Sequence, residues 1–305
     1  MNMNKRVVII GSSNTDMVVR TPHFPAGGET LMGTDFLMNA GGKGANQAVA
    51  VARLGGEATF ICRTGDDLFG KNAVELFATE GINTAYITED AGTPSGIAII
   101  TVNNAGENTI VVAPGANAQL SVPQVEAAHE AIASAGFVLM QLEIPMHTVL
   151  YAARMAFGNR VPIVLNPAPA VSLPDELYQM ISIITPNEKE ASLLSGITIV
   201  DQASARKAAA VLAGKGVGTV VITMGSEGAL LYDGGAFTHI GAPAVVAVDT
   251  TAAGDVFNGA LVVALSERKE LAEAVLFACQ AAALSVTRYG AQSSVPYRSE
   301  LSPVA

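Results

Sequence analysis

The stretch VDTTAAGDVFNGA, residues 248–260, places two acids, two threonines and three very small residues in front of an apolar segment. The run 244–248 is typical of a strand, and the pattern over 256–265 is typical of a helix. Small residues at a loop-to-helix junction leave backbone N–H groups uncovered, and the helix start favours an anion there. Asp255 lies at this junction, where its carboxylate could take a proton from a hydroxyl. In isolation the motif favours an N-cap; the rest of the chain favours the catalytic role.

A second glycine-rich stretch, AGGKGANQAVAVARLG at residues 40–55, leads from a loop into an alanine-rich helix. It is not a Walker A loop, because Gly44 follows Lys43 where that loop needs Ser or Thr. It also lacks the third glycine of the dinucleotide-binding fingerprint. We therefore expect its backbone N–H groups to approach a small polar ligand, the alternative being an ordinary glycine-rich turn.

The rest of the chain alternates strand-like and helix-like segments, which is typical of a mostly parallel sheet with helices on both faces. One of the helices is predicted over residues 121–135. Polar residues recur just past the predicted strand ends, where open α/β sheets bind ligands. They are Asp16, Glu143, Asn166, Asn187, Thr223 and Asp249. The predicted fold class is therefore α/β, with a doubly wound, mostly parallel sheet.

Two pairs of hairpin-like segments interrupt this alternation and predict a small additional β-sheet, which commonly serves as a lid. The predicted domains are an α/β core of residues 1–14, 41–95 and 114–305 and a discontinuous lid of residues 15–40 and 96–113. The hairpins carry more apolar side chains than a thin exposed lid should show to water. We therefore expect a homodimer that forms through the lids.

Composition and charge argue against several classes of function. The chain has 305 residues, of which 50% are hydrophobic and 14% charged, and its formal net charge is −10. Such an acidic chain is not expected to bind nucleic acid. No apolar run approaches the ~18 residues of a membrane span, and the N-terminal run is too short for a signal peptide. Two isolated cysteines, Cys62 and Cys279, fit a reducing compartment, so we expect a cytoplasmic protein.

The stretches GGKGANQA (41–48) and DTTAAGD (249–255) resemble the two signatures of the ribokinase-type (PfkB) family of carbohydrate kinases. The resemblance extends over nearly the whole chain, and the residues from Lys43 to Asn46 favour a pentose. It implies ATP-dependent phosphorylation of the 5-hydroxyl of D-ribose to give ribose 5-phosphate. One alternative is another sugar or nucleoside kinase of the family, such as a 2-deoxyribose kinase. A more remote one is a catalytically silent sugar-binding regulator.

The resemblance also implies roles for individual residues. Asp255 matches the catalytic base, and Ala252, Ala253 and Gly254 match an anion hole beside it. The positions that contact the sugar are matched by Asn14, Asp16, Gly42, Lys43, Asn46, Glu143 and Asp255. The positions that bind the nucleotide are matched by Asn187, Thr223, Gly225, Ser226, Gly228, Gly254 and Cys279. Cys279 stands where relatives often carry a histidine against the adenine.

Two cofactors are implied in the same way. Asn187 and Glu190 match a motif that holds Mg²⁺, largely through water. A site for K⁺, several of whose ligands are backbone carbonyls, is matched by Asp249, Thr251, Ser285, Arg288, Gly290 and Ser294. From the residues themselves, we expect the helix start to keep Asp255 ionised at neutral pH. We also expect the lid to close over the sugar by rotation at the glycines where it joins the core.

Overall fold

Two β-sheets and a set of helices make up the computed structural model, which describes residues 4–301. The strands are β1 (Arg6–Ile10), β2 (Asn14–Arg20), β3 (Asp35–Gly41), β4 (Glu57–Gly65), β5 (Asn83–Asp90), β6 (Gly96–Val102), β7 (Asn108–Ala113), β8 (Phe137–Met140), β9 (Ile163–Leu165), β10 (Ile183–Ile184), β11 (Thr219–Thr223), β12 (Ala229–Asp233) and β13 (Ala236–Ile240). The helices are α1 (Lys43–Arg53), α2 (Leu68–Thr79), α3 (Val122–Ala127), α4 (His129–Ala133), α5 (Met146–Gly158), α6 (Asp175–Tyr178), α7 (Glu188–Ser195), α8 (Gln202–Gly214), α9 (Ala253–Ser266) and α10 (Leu271–Ser285). Between residues 4 and 301, no helix combines the length and the apolar character that a membrane crossing requires.

The large sheet has the strand order β13-β12-β11-β10-β9-β8-β1-β4-β5. The pairs from β11 through to β5 are parallel, and the hairpin β12–β13 adds two antiparallel strands at one edge. Chain order runs outward in both directions from β1, toward β5 on one side and toward β11 on the other. This topological switch point places the carboxyl ends of β1 and β8 side by side, where open α/β sheets bind ligands.

The small sheet has the order β3-β2-β6-β7. Its two hairpins, β2–β3 and β6–β7, are antiparallel, whereas β2 and β6 pair in parallel and join the hairpins into one sheet. The predicted fold class is confirmed, because a large, mostly parallel sheet stands beside a separate small one.

Helices cover both faces of the large sheet, and each face has its own hydrophobic core. Side chains alternate along β1, so that Val8 and Ile10 belong to one core whereas Val7 and Ile9 belong to the other. The first core also contains residues of α3 to α8, and the second contains residues of α1, α2, α9 and α10. As a result α1 and α9, which carry the two glycine-rich motifs, pack on the same face of the sheet.

Some segments differ from the sequence-based prediction. Residues 244–248 form no strand, because their backbone joins no sheet: Val248 N–H donates to Val286 O at 2.7 Å in a loop, and Val246 is 85% exposed. The helix predicted over residues 121–135 is broken at Ala128, whose φ of −94° and ψ of 12° separate α3 from α4. β5 and the hairpin β12–β13 have no counterpart in the prediction.

Candidate active site

A cavity of about 190 Å³ opens at the carboxyl ends of β9, β10 and β11, against the start of α9. Most of the side chains around it are polar or charged. The lining residues are Lys43, Asn166, Ala168, Thr185, Asn187, Glu190, Thr223, Thr250, Ala252, Ala253, Gly254, Asp255 and Asn258. The cavity therefore brings together predicted site residues from distant parts of the chain: one from the 40–55 stretch, two at the start of α7, one at the end of β11 and four at the start of α9.

The start of α9 offers free N–H groups to this cavity. Its N-cap is Ala252, which adopts the left-handed conformation with φ of 61° and makes no side-chain cap. The N–H of Ala253 bends back to Thr250 O at 3.3 Å, and the Val256 N–H donates to Ala252 O at 2.9 Å. The N–H groups of a first helical turn have no intrahelical partner, so those of Gly254 and Asp255 can serve an anion in the cavity.

The carboxylate of Asp255 does not cap the helix in which it lies. It is 6% exposed, and its two oxygens accept hydrogen bonds from two neighbouring amides on α1. Asn46 Nδ2 donates to Oδ2 at 2.8 Å, and Gln47 Nε2 donates to Oδ1 at 2.9 Å. The alternative of Asp255 as a plain N-cap is therefore wrong, because its side chain crosses to another helix.

Burial raises the pKa of Asp255 above its ordinary value, although the charge of Lys43 and the two amide donors oppose the shift. Desolvation thus acts against the helix start, which is expected to favour the ionised form of Asp255 at neutral pH; that expectation stays a prediction. At Lys43, burial opposes the charge, but the carboxylates of Asp255 and Glu143 raise its pKa overall. The Lys43 ammonium thus lies near the Asp255 carboxylate, whose pKa is raised. A base with a raised pKa beside a positive charge suits proton transfer next to a bound anion.

Lys43 contacts Glu143, which follows β8, the strand next to β1 at the switch point. Its backbone N–H donates to Glu143 Oε2 at 3.2 Å, and its Nζ lies 3.8 Å from Oε1. The hydroxyl of Ser12 also donates to Oε2, at 2.6 Å. The predicted sugar-contacting residues on α1 and after β8 are therefore connected directly.

Asn14 and Gly42 meet where the small sheet joins the core. Gly42 has a φ of 90°, and a Cβ there would lie 2.6 Å from the backbone nitrogen of Asn14, so this position requires glycine. The buried side chain of Asn117 donates to Asn14 Oδ1 at 2.8 Å and accepts from Ser13 N–H at 2.8 Å. The start of β2 is thereby fastened to the core segment that follows β7.

Asp16 extends from β2 toward the same group of charges. Burial, together with the carboxylates of Glu143 and Asp255, raises its pKa from 3.8 to about 6, and Lys43 limits the shift. Three carboxylates and one ammonium group thus influence one another. Such a set can accept hydrogen bonds from several hydroxyls of a polyol.

Asn187 and Glu190, the predicted magnesium residues, form a capping box at the start of α7. Asn187 Oδ1 accepts from the Glu190 N–H at 2.9 Å, and Glu190 Oε2 accepts from the Asn187 N–H at 2.8 Å. Both residues also line the cavity. Burial raises the pKa of Glu190, with the Asn187 N–H and Lys43 acting against it.

The predicted nucleotide turn follows β11 at the edge of the cavity. Thr223 lines the cavity and pairs through its backbone with Asn187 in an isolated bridge. Gly225 and Ser226 lie in the short 3-10 turn Gly225–Glu227, and Gly228 caps it. Within residues 4–301, Cys279 is not among the residues that line the cavity; it lies on α10 in the hydrophobic core that also contains Ala229, the residue after Gly228, and burial raises its pKa to about 11.

The predicted potassium residues connect the loop before α9 with the segment after α10. Asp249 Oδ1 accepts from Thr251 N–H at 2.9 Å and from its hydroxyl at 2.6 Å. Asp249 Oδ2 accepts from the Gly290 N–H, also at 2.9 Å. This carboxylate therefore joins the two segments that the resemblance assigns to one site.

The side chains of the remaining three residues of that set all have partners within the chain. The hydroxyls of Ser285 and Ser294 donate to carbonyls in their own turns, at 2.8 Å each. The guanidinium of Arg288 pairs with Glu300. Among residues 4–301, no three His, Cys, Asp or Glu side chains gather as metal ligands, so a cation here would combine the Asp249 carboxylate with hydroxyl and carbonyl oxygens.

Several buried amides near the site are absent from the predicted set. Gln47 and Gln141 extend the contacts of Asp255, and Asn117 holds Asn14. Asn258 donates to Gly254 O at 2.8 Å and so supports the first turn of α9. Two of them carry a readable signal: Gln141 follows a strand end directly, and Gln47 lies inside the second glycine-rich stretch.

Proteins of known function resemble this chain over nearly its whole length. The family model "pfkB family carbohydrate kinase" matches residues 4–298. The ribokinase of Haemophilus influenzae is 48% identical over 298 residues, which cover 98% of this chain and 97% of that protein. The deoxyribokinase of Salmonella typhi is 36% identical over 291 residues, or 95% of each chain. The structure of Arabidopsis thaliana ribokinase complexed with ribose and ATP matches with a TM-score of 0.90 at 34% identity, covering 97% of each chain.

Proposed function

The chain belongs to the pfkB family of carbohydrate kinases, and we propose that it is a ribokinase, which transfers the γ-phosphoryl group of ATP to the 5-hydroxyl of D-ribose. The observation that carries this proposal is the buried carboxylate of Asp255, held by two amides at the start of a helix whose N–H groups face a polar cavity. The ribokinase relatives, similar over almost their full length, support the choice of ribose.

Asp255 is the proposed proton acceptor. As O5 of ribose forms its bond to the γ-phosphorus, the bond from that phosphorus to the β,γ-bridging oxygen breaks and ADP leaves. The hydroxyl proton passes to the Asp255 carboxylate. Its raised pKa supports this role, because a stronger base takes the proton more readily near neutral pH.

The N–H groups of Gly254 and Asp255 are proposed to stabilise the transferred group. Charge on the γ-phosphoryl oxygens is spread over the transition state, so fixed donors in a shielded cavity reduce the barrier. The ammonium of Lys43, which lines the same cavity, adds a positive charge. These groups take the place of the P-loop lysine that the chain lacks.

The sugar is proposed to lie between β2, the start of α1 and Glu143, in contact with Asn14, Asp16, Gly42, Lys43 and Asn46. A buried acceptor without a partner supports this position: Asn46 Oδ1 accepts no hydrogen bond within the described part of the chain. Its Nδ2 is already bound to Asp255. A sugar hydroxyl that donates to Asn46 Oδ1 would therefore lie next to the proposed base.

The nucleotide is proposed to bind along Thr223, Gly225, Ser226 and Gly228, with its phosphates toward α9. Mg²⁺, when bound, would neutralise part of the phosphate charge. Asn187 and Glu190 line the cavity, and both carry side-chain oxygens, the ligands that Mg²⁺ prefers. Because one oxygen of each side chain is already used in the capping box, these residues suit an ion held through water.

Activation by K⁺ is part of the proposal. Asp249 ties the loop that carries the proposed anion hole to the segment after α10, and backbone carbonyls of that segment are the proposed further ligands. A cation between the two would hold the loop and add positive charge near the phosphates. We expect potassium to raise turnover and sodium to do so poorly.

We further propose that residues 15–40 and 96–113 form a lid that closes over ribose, and that two lids pair in a homodimer. The lid joins a core of residues 1–14, 41–95 and 114–305 at several glycines, including Gly41, Gly42 and Gly96. Glycines at such junctions can absorb backbone rotation. Structures with and without ribose would test the closure, and an unchanged lid position would contradict it.

The decisive experiment is a panel of sugars assayed for ATP-dependent phosphorylation, each with potassium, with sodium and with a bulky organic cation. We expect D-ribose to give the highest kcat/KM, with potassium the best activator. Equal rates in all three cations would remove the potassium claim. Absence of phosphorylation for every sugar, in a protein that still binds them, would favour a silent sugar-binding regulator.

The alternative that one observation favours is a 2-deoxyribose kinase, since a deoxyribokinase is 36% identical over 95% of the chain. Carboxylates that hydrogen-bond the hydroxyls of ribose would discriminate against an analogue that lacks one. A kcat/KM for 2-deoxyribose that equals or exceeds the value for ribose would identify that alternative.

A further inference from the structure

Gln47 on α1 is fully buried and contacts Asp255, yet no step of the proposed reaction uses it. Its Nε2 donates to Asp255 Oδ1 at 2.9 Å and to Asn166 Oδ1 at 3.1 Å. Its Oε1 accepts from Gln141 Nε2 at 2.5 Å. Both N–H bonds and the carbonyl of this amide are thus engaged inside the protein, so Gln47 does not depend on a substrate for its partners.

Gln141 supports the orientation of the Gln47 amide in which the NH₂ end faces Asp255, while its own Oε1 has no hydrogen-bond partner within residues 4–301. It follows β8 directly, is fully buried, and has room because a Cβ at Gly11 would overlap its Oε1. Since Gln141 presents an N–H to Gln47, the carbonyl end of Gln47 turns toward Gln141. The NH₂ end is therefore the one that meets the carboxylate, as the acceptor-only side chain of an ionised Asp requires.

Asn46 and Gln47 divide the two oxygens of Asp255 between them. Asn46 holds Oδ2, and its buried Oδ1 has no partner among residues 4–301, which suits it to face the substrate. Gln47 holds Oδ1 and has no free group left. The two neighbouring amides therefore have different tasks, one toward the sugar and one toward the protein.

We propose that Gln47, oriented by Gln141, is a positioning residue that holds the Asp255 carboxylate in one rotation, ready to accept the hydroxyl proton. The proposal rests on the role of Asp255 in the proposed function. Hydrogen bonds from an amide also favour the charged form of a carboxylate, so losing Gln47 removes a donor that opposes the effect of burial. A role in packing alone would have no such consequence.

The test is Gln47→Met, which keeps the length of the side chain and removes its donors. We expect kcat to fall about 10- to 100-fold, because a displaced reacting group is costly, while KM for ribose changes little. We also expect the acid limb of the profile of log kcat/KM against pH to move up by about one pH unit. A fall in kcat without that movement would indicate packing alone and would overturn the proposal, as would unchanged kcat.

Gln141→Met extends the test and replaces it if Gln47→Met does not fold. It leaves the donors of Gln47 in place but frees the amide to rotate, so a smaller shift in the same direction is expected. The matched control is Gln124→Met, a half-buried glutamine on α3 on the opposite face of the sheet. Its acid limb should coincide with that of the unchanged protein, and a shift as large as that of Gln47→Met would contradict the proposal.

A direct titration separates this proposal from the assignment of ribose. The ¹³C carboxyl resonance of Asp255 can be identified by its loss in Asp255→Asn and followed with pH without any sugar. Gln47→Met should raise the apparent pKa of that resonance, whichever sugar the enzyme uses. An unmoved titration in folded Gln47→Met overturns the positioning role, whereas failure to phosphorylate ribose overturns only the substrate.

Discussion

The carboxylate of Asp255 accepts hydrogen bonds from α1 and does not cap its own helix. This arrangement predicts the effect of replacing Asp255. Asp255→Asn removes the charge and the proposed proton acceptor while keeping the size of the side chain. We expect kcat to fall ~10²–10⁴-fold, the usual share of a general base, with ribose and ATP bound about as tightly as before. The thermal midpoint should change little, because relief from burying a charge offsets the loss of one of the two amide hydrogen bonds, and the remaining oxygen can keep the other.

Kinetics and binding calorimetry on the folded variant check this prediction. The control is Asp175→Asn, an exposed acid in the first turn of α6, which should keep full turnover. Near-normal turnover of Asp255→Asn, or a loss of activity that follows unfolding, would leave Asp255 with a structural role only.

Asp16 shows the cost in stability of gathering carboxylates at the proposed sugar site. Its pKa is about 6 in the folded chain against an ordinary 3.8, so ionisation is harder when folded. The free energy of unfolding therefore falls as pH rises between these two values. At pH 7, Asp16→Asn should raise that free energy, by something on the order of 1–3 kcal/mol, and the gain should vanish below the ordinary pKa.

Thermal unfolding of Asp16→Asn across pH 3.5–8 checks the sign. Exposed Asp35, on the partner strand β3, supplies the control Asp35→Asn, for which no comparable pH-dependent gain is expected. A destabilised Asp16→Asn at pH 7 would show that the carboxylate is favourable as it stands. Ribose affinity in the same variant should drop, since a carboxylate accepts more hydrogen bonds than an amide.

At the scale of elements, the approach of α1 to α9 brings Asn46 and Gln47 within reach of Asp255. Gly259 allows it: a Cβ there would lie 2.5 Å from the Cβ of Ala50 and 3.1 Å from Gln47 O. Gly259→Ala should push the helices apart, at a cost of about 1–3 kcal/mol for overpacking. Because Asp255 would then move away from its amides, kcat should also fall by about tenfold or more.

The matched control is Gly214→Ala on α8, where a Cβ meets nothing within 4 Å. This variant should be as stable as the unchanged protein or more stable, with full activity. Gly259→Ala with unaltered kcat and thermal midpoint would mean that the two helices tolerate the extra methyl group, contrary to the contact geometry.

The hydrophobic periodicity of the sequence predicted those strands and helices whose burial follows from local pattern. The prediction failed for segments whose structure depends on residues far away in the chain. The alternation of strands and helices, and the small sheet, followed from local pattern alone. Residues 244–248 have the β-branched composition of a strand, but they pair with no strand among residues 4–301, and composition carries no information about pairing partners. The sequence gives no sign of the break between α3 and α4 at Ala128 either, because alanine is the strongest helix former.

The site shows the same division. Motifs and strand-end polarity located Asp255, Lys43, Glu143 and Asn187, because loops at one edge of a parallel sheet meet. The direction of the pKa of Asp255 was not accessible in this way, since it follows from how completely the fold excludes water. The sequence also could not show that Asn46 and Gln47 donate to Asp255, because these hydrogen bonds depend on how closely α1 approaches α9.

At the scale of the whole molecule, the small sheet exposes apolar side chains that a single copy leaves in water. Phe36, Leu37 and Met38 on β3 and Ile110, Val111 and Val112 on β7 are each between 46% and 69% exposed. We expect sedimentation at micromolar concentration to give a dimer. Successive strand residues point to opposite faces, so Ile110→Lys and Val111→Lys probe one face each, and at least one should give monomers.

Val246→Lys is the control, since Val246 is more exposed than any of these residues but lies in the loop before α9. This variant should remain a dimer. A monomeric unchanged protein, or dimers in both lysine variants of β7, would rule out association through the small sheets.

The parallel pairing of β2 with β6 has a consequence for the order in which the chain folds. These strands are separated along the chain by β3, α1, β4, α2 and β5, so we expect them to meet only after that stretch has compacted. Before then β2 and β3 form a lone two-stranded hairpin, which is marginal in water. During synthesis on the ribosome, the chain must therefore emerge well beyond residue 102 before this hairpin gains its neighbour. The sheet proposed to enclose the sugar is thus assembled late, on a framework that its own flanking segments have already built.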